Sequence, residues 1–130
     1  VQRDPEEAGE RAMLNYGHTF GHAVEHAMRG RLRHGECVAL GIRLAACIME
    51  RREPATASWG HRQNALLDAL DMPRRLPSGL TEEKLLQGMR QDKKTRAGQI
   101  RMVLSPEPGI GRYDIPVAEE ELRAAIRKIF

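Results

Sequence analysis

The chain has 130 residues, enough for one domain with a modest hydrophobic core. Its net charge of +3, with 41% hydrophobic and 30% charged residues, is ordinary for a globular protein. Only 4% of the residues are aromatic, so the basic residues lack the interleaved stacking side chains of a nucleic-acid-binding surface. No apolar run is long enough to span a membrane. We expect a single, mainly helical domain over 1–130, with neither nucleic acid nor membrane as a partner.

The two cysteines, Cys37 and Cys47, are ten residues apart within one predicted helix, too distant along its axis to form a disulfide. Free thiols are typical of a reducing compartment, and no signal peptide is recognisable. We therefore expect a cytoplasmic protein in which both cysteines are small core residues.

The first predicted helix begins near Asp4, a suitable N-cap, or after Gly9, which is unfavourable in a helix interior, and it ends at Gly30. At about 100° per residue, its distinctive polar positions fall within an arc of about 80°. These positions are Glu7, Arg11, Asn15, His18 and His22. The apolar positions on the opposite side are Met13, Tyr16, Gly17, Phe20, Val24, Ala27 and Met28. The polar face carries a carboxylate, a guanidinium, an amide and two imidazoles, which together can handle protons, a metal ion and an anion.

A second helix is predicted over 35–52, and the short connection before it favours two antiparallel neighbours. Four glycines would permit close approach of the pair: Gly17, Gly21, Gly35 and Gly41. The expected inward positions of the second helix are Val38, Ile42, Ala45, Ala46 and Met49. This arrangement would bring His34 towards the polar face of the first helix.

A third helix is predicted over 57–71 and a fourth over 82–91, capped by Thr81, with an exposed Pro- and Gly-rich linker over 72–79 between them. The core candidates of the third helix are Trp59, Leu66, Leu67 and Leu70. Period-two alternation then predicts a hairpin of strands over 99–104 and 111–115, joined by turn residues 105–109. A last helix over 117–129 should turn four apolar residues inward: Leu122, Ala125, Ile126 and Ile129.

His18 and His22 have the i, i+4 spacing of helical metal sites, but such a pair is common on surface helices and is weak evidence alone. His34 strengthens the case if the helices pair. A catalytic zinc usually takes three protein ligands, and none stands out as the third. Glu36 is better explained as a stabiliser of a helix N-terminus, and Glu25 lies nearly two turns from His18.

Structural explanations also exist for the other polar residues. Arg11 can pair with Glu7 at i, i+4, and Glu7 can close a capping box. Lys93 and Lys94 can be solvated charges before a strand, or point charges that bind a carboxylate or phosphate.

The Asn-x-Gly-His-x-x-Gly-His run at 15–22 is followed by His-Gly-Glu at 34–36, Asp-Lys-Lys at 92–94 and Gly-Gln-Ile-Arg at 98–101, with Glu7 and Arg11 upstream. Together these motifs resemble the 3-dehydroquinate synthase family. The resemblance covers nearly the whole chain, but only the C-terminal, helical half of that enzyme. It implies the helical C-terminal domain of the dehydroquinate synthase-like fold, with one small β-hairpin.

The resemblance implies an enzyme of the shikimate pathway that depends on NAD and on zinc or another divalent metal such as cobalt. The family converts 3-deoxy-arabino-heptulosonate 7-phosphate into 3-dehydroquinate and phosphate. By matching motif positions, it implies His18 and His34 as metal ligands and His22 with Glu7 as the proton-handling pair. The substrate-binding residues that it implies are Arg11, Asn15 and one of Lys93 or Lys94.

The resemblance further implies an N-terminal NAD-binding domain, which is absent here and which would supply a glutamate as third zinc ligand and a further lysine. We therefore expect the chain to be inactive alone, as a fragment, a split subunit or a remnant, with the fragment favoured. The complete enzyme is expected to be a homodimer. Two alternatives stay open: another sugar-phosphate cyclase of the inosose or valiolone type, or a non-catalytic zinc-binding helical module.

Overall fold

A computed structural model describes residues 16–91 and 99–129, which form helices and one antiparallel hairpin. This confirms the predicted fold class, mainly α with a single small hairpin. The elements in chain order are α1 (His18–Met28), α2 (His34–Arg52), a short 3-10 helix (Pro54–Thr56), α3 (Ala57–Ala69), α4 (Glu82–Arg90), β1 (Ile100–Glu107), β2 (Ile110–Val117) and α5 (Glu119–Lys128).

Helix α1 begins later than the sequence pattern predicted. Its N-cap, Gly17, has a φ of 81°, a left-handed conformation that interrupts a helix running through this position. The prediction of one continuous helical face through Gly17 is therefore wrong. Glu7, Arg11 and Asn15 lie outside the described residues. The end of the helix agrees with the prediction, because Arg29 and Gly30 both have positive φ values.

Helices α1 and α2 pack backbone against backbone through glycines. A Cβ atom on Gly41 would overlap the carbonyl oxygen of Gly17, and one on Gly21 would lie 3.1 Å from the carbonyl oxygen of Cys37. Position 17 meets position 41 and position 21 meets position 37, so the two helices run antiparallel, as predicted. Gly35 takes no part, since nothing lies within 4 Å of its Cβ position.

Helix α2 is the centre of the hydrophobic core. Leu40 and Leu44 are fully buried, and Ile48 nearly so, because α1, α3, β1 and α5 all pack around the helix. The sequence predicted that only one side of this helix is buried, whereas buried residues lie on several sides. Two of the predicted inward residues, Val38 and Ile42, are only half-buried. The core position expected for Cys37 is confirmed, since it is fully buried.

Helix α3 buries different residues from those predicted. Leu66 is 61% exposed and Leu70 is 57% exposed, so the prediction that they belong to the core is wrong. The helix packs instead through Gly60, whose Cβ position lies 3.5 Å from the Ala46 Cβ atom, and through the buried Gln63. Leu66 and Leu70 are thus mostly exposed in the described part of the chain.

The linker before α4 is anchored rather than exposed along its length. Leu76 and Leu80 are buried, and the Leu76 N–H donates to the Ile129 carbonyl oxygen at 2.6 Å. The exposed-linker prediction is therefore wrong at Leu76. The predicted cap is confirmed, since the Thr81 hydroxyl accepts a hydrogen bond from the Lys84 N–H at 3.1 Å.

The hairpin and last helix follow their sequence patterns closely. Ile100 pairs with Val117 and Met102 with Ile115. The buried side of β1 includes Ile100, Met102 and Leu104, as their alternation predicted. Both strands extend further than expected, to a tight turn at 108–109. The predicted inward residues of α5 are all buried: Leu122, Ala125, Ile126 and Ile129. Within 16–91 and 99–129, no helix is both long and apolar enough to cross a bilayer.

The glycine contact between α1 and α2 predicts a large effect of one methyl group. Gly41→Ala forces the two backbones apart, so we expect a loss of about 1–3 kcal/mol in the free energy of unfolding, measured by urea denaturation. Gly35→Ala is the matched control in the same helix, because its Cβ meets open space. The control should be neutral or stabilising by up to about 1 kcal/mol. Equal effects of the two substitutions would contradict the proposed role of the contact.

Candidate functional site

Three imidazole rings meet beside the crossing of α1 and α2. The ring centroids of His18 and His34 are 5.3 Å apart, those of His18 and His22 are 5.4 Å apart, and those of His22 and His34 are 6.3 Å apart. The predicted convergence of His34 on the first helix is therefore confirmed. His18 and His22 lie one turn apart on α1, and His34 is the first residue of α2.

The spacing of His18 and His34 fits a shared metal ion. With Zn–N bonds of about 2.0–2.1 Å and tetrahedral angles, two coordinating imidazoles have ring centroids about 5 Å apart. The observed separation of 5.3 Å satisfies this condition. Within the described ranges, no group of three or more His, Cys, Asp or Glu side chains is placed to hold a metal ion. A firm metal site would therefore need a ligand from elsewhere.

Both imidazoles of this pair have a partner at Nδ1. His34 Nδ1 lies 2.9 Å from Glu25 Oε1, and His18 Nδ1 makes a long contact of 3.4 Å with the Tyr16 carbonyl oxygen. Carboxylates and backbone carbonyls are the usual partners of the non-coordinating nitrogen in metal-bound histidines. If a metal is bound, Nε2 is thus the nitrogen that coordinates it.

Sequence reasoning missed the contact of Glu25 because it measured that residue only against His18 on the same helix. The partner of Glu25 belongs to the next helix. The alternative ligand, Glu36, does what the sequence predicted: its Oε1 accepts from the Arg33 N–H at 2.8 Å and so stabilises the start of α2.

Cys37 lies one turn after His34 and is fully buried. Burial, helped by the negative charges of Glu25 and Glu36, raises the pKa of its thiol to about 11. The thiol is therefore protonated at neutral pH and packs as a small core residue.

A cavity of about 440 Å³ opens beside His22. Helix α4 forms its other wall, because Gly88 allows close packing on Ala23, 3.2 Å from the Cβ position of the glycine. The lining residues are His22, Ala23, Glu25, His26, Gly88 and Gln91. Lys93 and Lys94 follow Gln91 by two and three positions in the sequence and lie outside the described residues. The structure thus brings His22 to an open cavity next to the imidazole cluster.

Tyr16 connects the start of α1 with α3. Its hydroxyl donates a hydrogen bond to Gln63 Oε1 at 2.9 Å, and burial raises the pKa of Tyr16 to about 12. Its backbone carbonyl is the one that faces His18. The same residue therefore fixes the entry to α1 and contacts the imidazole cluster.

The fold is that of the helical domain of sugar-phosphate cyclases. A 2-deoxy-scyllo-inosose synthase structure matches 89% of this chain with a TM-score of 0.73 and 25% identity, over 33% of its own length. A valiolone synthase from Streptomyces hygroscopicus, solved with NAD+ and Zn2+ bound, matches 88% of this chain with a TM-score of 0.73 and 24% identity, over 32% of its own length.

The family described as 3-dehydroquinate synthase C-terminal matches residues 1–95, and the chain belongs to this family. A 3-dehydroquinate synthase from Xylella fastidiosa strain 9a5c is 50% identical over 99% of the chain and 33% of its own length. The enzyme of the same name from Nostoc sp. strain PCC 7120 is 37% identical over 99% of the chain and 36% of its own length. The chain thus spans about a third of the length of these relatives.

The buried phenol predicts a specific loss of stability at alkaline pH. Because the folded-state pKa of Tyr16 is about 12 and an unfolded tyrosine ionises near about 10, this contribution is complete below pH ~10 and is lost as pH rises towards 12. Between pH 9 and 11, the chain should lose about 1 kcal/mol more unfolding free energy than Tyr16→Phe does. Urea denaturation at each pH measures the difference.

Tyr113→Phe is the matched control, since it removes the other phenol and leaves the Tyr16–Gln63 hydrogen bond in place. The control should keep the alkaline loss of the unmodified chain. Identical pH profiles for the unmodified chain and Tyr16→Phe would show that the buried phenol is not its source.

Proposed function

We propose that this chain is the C-terminal part of a 3-dehydroquinate synthase, one domain over 1–130 of a longer enzyme. The complete enzyme converts 3-deoxy-arabino-heptulosonate 7-phosphate into 3-dehydroquinate and phosphate in the shikimate pathway. Family membership and 37–50% identity to enzymes of that name support this assignment. The observation that carries it is the convergence of three imidazoles beside an open cavity, since catalysis needs both a metal-binding pair and a proton-transfer group there.

His18 and His34 are the proposed metal ligands. Their separation and the contacts at both Nδ1 atoms support this role. The metal is zinc, or another divalent ion such as cobalt: the valiolone synthase was solved with Zn2+ and NAD+, and one 2-deoxy-scyllo-inosose synthase with Co2+ and NAD+. Bound zinc would polarise a substrate hydroxyl and ease hydride removal by NAD. The third ligand and most of the NAD site would come from the N-terminal domain.

His22 is the proposed proton-handling residue, together with Glu7. Its position on the cavity wall, next to the metal pair, supports this role. A proton-transfer group must lie within hydrogen-bond distance of the substrate. The cavity has room for a substrate beside the His22 ring.

Substrate binding is assigned to residues outside the described part of the chain: Arg11, Asn15 and one of Lys93 or Lys94. The lysines follow Gln91, which lines the cavity, by two and three positions in the sequence, and that proximity in sequence supports their role. Positive charges of these residues would neutralise the carboxylate and the departing phosphate of the substrate.

The longer enzyme is proposed to be a homodimer in the cytoplasm. Both Cys37 and Cys47 are free, which agrees with a reducing compartment.

A related cyclase activity is the main alternative. The matching solved structures described above are inosose and valiolone synthases, but their identities of 24–25% are well below the 37–50% of the 3-dehydroquinate synthases. 3-Deoxy-arabino-heptulosonate 7-phosphate is therefore the first substrate to assay. The substrates of the inosose and valiolone synthases are tested in parallel for comparison.

Reconstitution tests whether the chain belongs to a longer catalyst. Mixed with the N-terminal domain of a close relative, the chain should release phosphate from 3-deoxy-arabino-heptulosonate 7-phosphate only when both zinc and NAD are present. Each component alone should be inactive, because the ligand set and the NAD site are then incomplete. Failure to release phosphate under every reconstitution would leave the chain a non-catalytic remnant.

Substitution of His22 separates proton transfer from metal binding. In the complete enzyme, His22→Ala should lower kcat about 10²–10⁴-fold, as expected for loss of a general acid or base, while bound zinc stays unchanged. His18→Ala and His34→Ala should instead lose zinc, as measured by elemental analysis. The control is His61→Ala, an exposed histidine on α3, which should keep both. Full turnover in His22→Ala would refute the catalytic role.

A further inference from the structure

The side chain of Glu25 connects two helices at the imidazole cluster. Its Oε1 atom lies 2.9 Å from Nδ1 of His34, the first residue of α2. We propose that Glu25 is a positioning residue for His34, holding the ring so that Nε2 faces the metal position. This inference deepens the proposed function and rests on its assignment of His34 as a metal ligand.

The chemistry of the pair fixes the tautomer of the ring. An ionised carboxylate only accepts hydrogen bonds, so Nδ1 of His34 must carry the hydrogen that Glu25 accepts. In the neutral ring the lone pair is then on Nε2, and a metal ion needs that lone pair. The carboxylate therefore selects the ligand-competent tautomer and also limits rotation of the ring.

Glu25 lies on the same face of α1 as His18 and His22. Glu25 follows His22 by three residues and His18 by seven, and both spacings return to one side of a helix. One helix thus presents two imidazoles and the carboxylate that orients the third. The contact with Glu25 therefore joins His34 directly to α1, in addition to the chain connection at 29–33.

Two other roles for Glu25 are less consistent with the structure. As a metal ligand, it would have to give up its contact with His34, and no group of three metal-binding side chains is found in the described residues. As a structural ion pair it would contribute little, because the Glu25 and His34 side chains are 39% and 54% exposed. Positioning of the ring explains both the close contact and its exposure.

The test measures the zinc affinity of the complete enzyme, which contains the 130-residue chain and its N-terminal domain, by competition with a chromophoric chelator. Glu25→Ala removes the acceptor and should weaken zinc binding about 10–100-fold. Glu25→Gln keeps a neutral acceptor and should weaken it much less. Glu36→Gln is the matched control: it removes a nearby negative charge from a residue whose carboxylate accepts a hydrogen bond from the Arg33 N–H and caps α2. Melting temperatures should be similar throughout.

Three results would overturn the inference. If Glu25→Ala weakens zinc binding no more than Glu36→Gln does, only the lost charge matters. If Glu25→Gln is as damaging as Glu25→Ala, Glu25 is itself a ligand. If Glu25→Ala binds zinc as tightly as the unmodified chain, the carboxylate has no role.

A metal-free measurement separates this inference from the proposed function. At about pH 8.5, where histidine rings are mostly neutral, ¹⁵N NMR should show His34 with its hydrogen on Nδ1, and Glu25→Ala should shift the ring towards the Nε2–H tautomer. If the complete enzyme bound no zinc while the chain showed this shift, the metal-site assignment would fail and the contact would stand. An unchanged tautomer in Glu25→Ala would reject the positioning role, whatever the zinc affinity.

Discussion

The contact of two backbones at Gly17 and Gly41 determines the geometry of the candidate site. Neither position has room for a methyl group, so α1 and α2 lie closer than helices with larger residues at the crossing can. Each of the two glycines that meet α2, Gly17 and Gly21, is followed directly by a histidine of the cluster. Within α1, His22 is rotated about 100° from Gly21 and therefore leaves the contact with α2 to the glycine. The same Gly-His dipeptides therefore provide both the close helix packing and the imidazoles of the cluster.

The burial of α2 gives this arrangement its rigidity. Leu40 and Leu44 are covered on all sides, so the helix that carries His34 has little freedom to shift. A metal site needs ligands held in a narrow range of positions, and side chains on packed helices meet that need better than side chains on loops. The described residues contain no complete metal-binding group, and the proposed site has two histidine ligands among them. In the proposed enzyme, completion of this site by a second domain would link metal binding to assembly.

Sequence reasoning succeeded where a pattern depends on one element and failed where it depends on its neighbours. The alternation of Ile100, Met102 and Leu104 is local, and it correctly predicted their burial. The burial of Leu66 depends on whether another helix covers it, and helical periodicity carries no such information. Gly17 illustrates a different failure: glycine accepts both helical and left-handed conformations, so its presence did not reveal the break before α1. The partner of Glu25 lies on another helix, beyond the reach of spacing rules.

The surroundings of the three imidazoles give a physical reason for dividing their roles. His18 and His34 each direct Nδ1 to an oxygen, of Tyr16 and Glu25 respectively, and such contacts hold a ring in one orientation and one tautomer. That restriction suits a metal ligand, which must present the same nitrogen throughout the reaction. His22 instead lines the open cavity, where a substrate can approach its ring. A proton-transfer group must both gain and lose a proton, so access to the reacting molecule matters more for it than a fixed tautomer. The cluster therefore contains two kinds of environment within a few ångströms, and the multistep chemistry proposed here requires both.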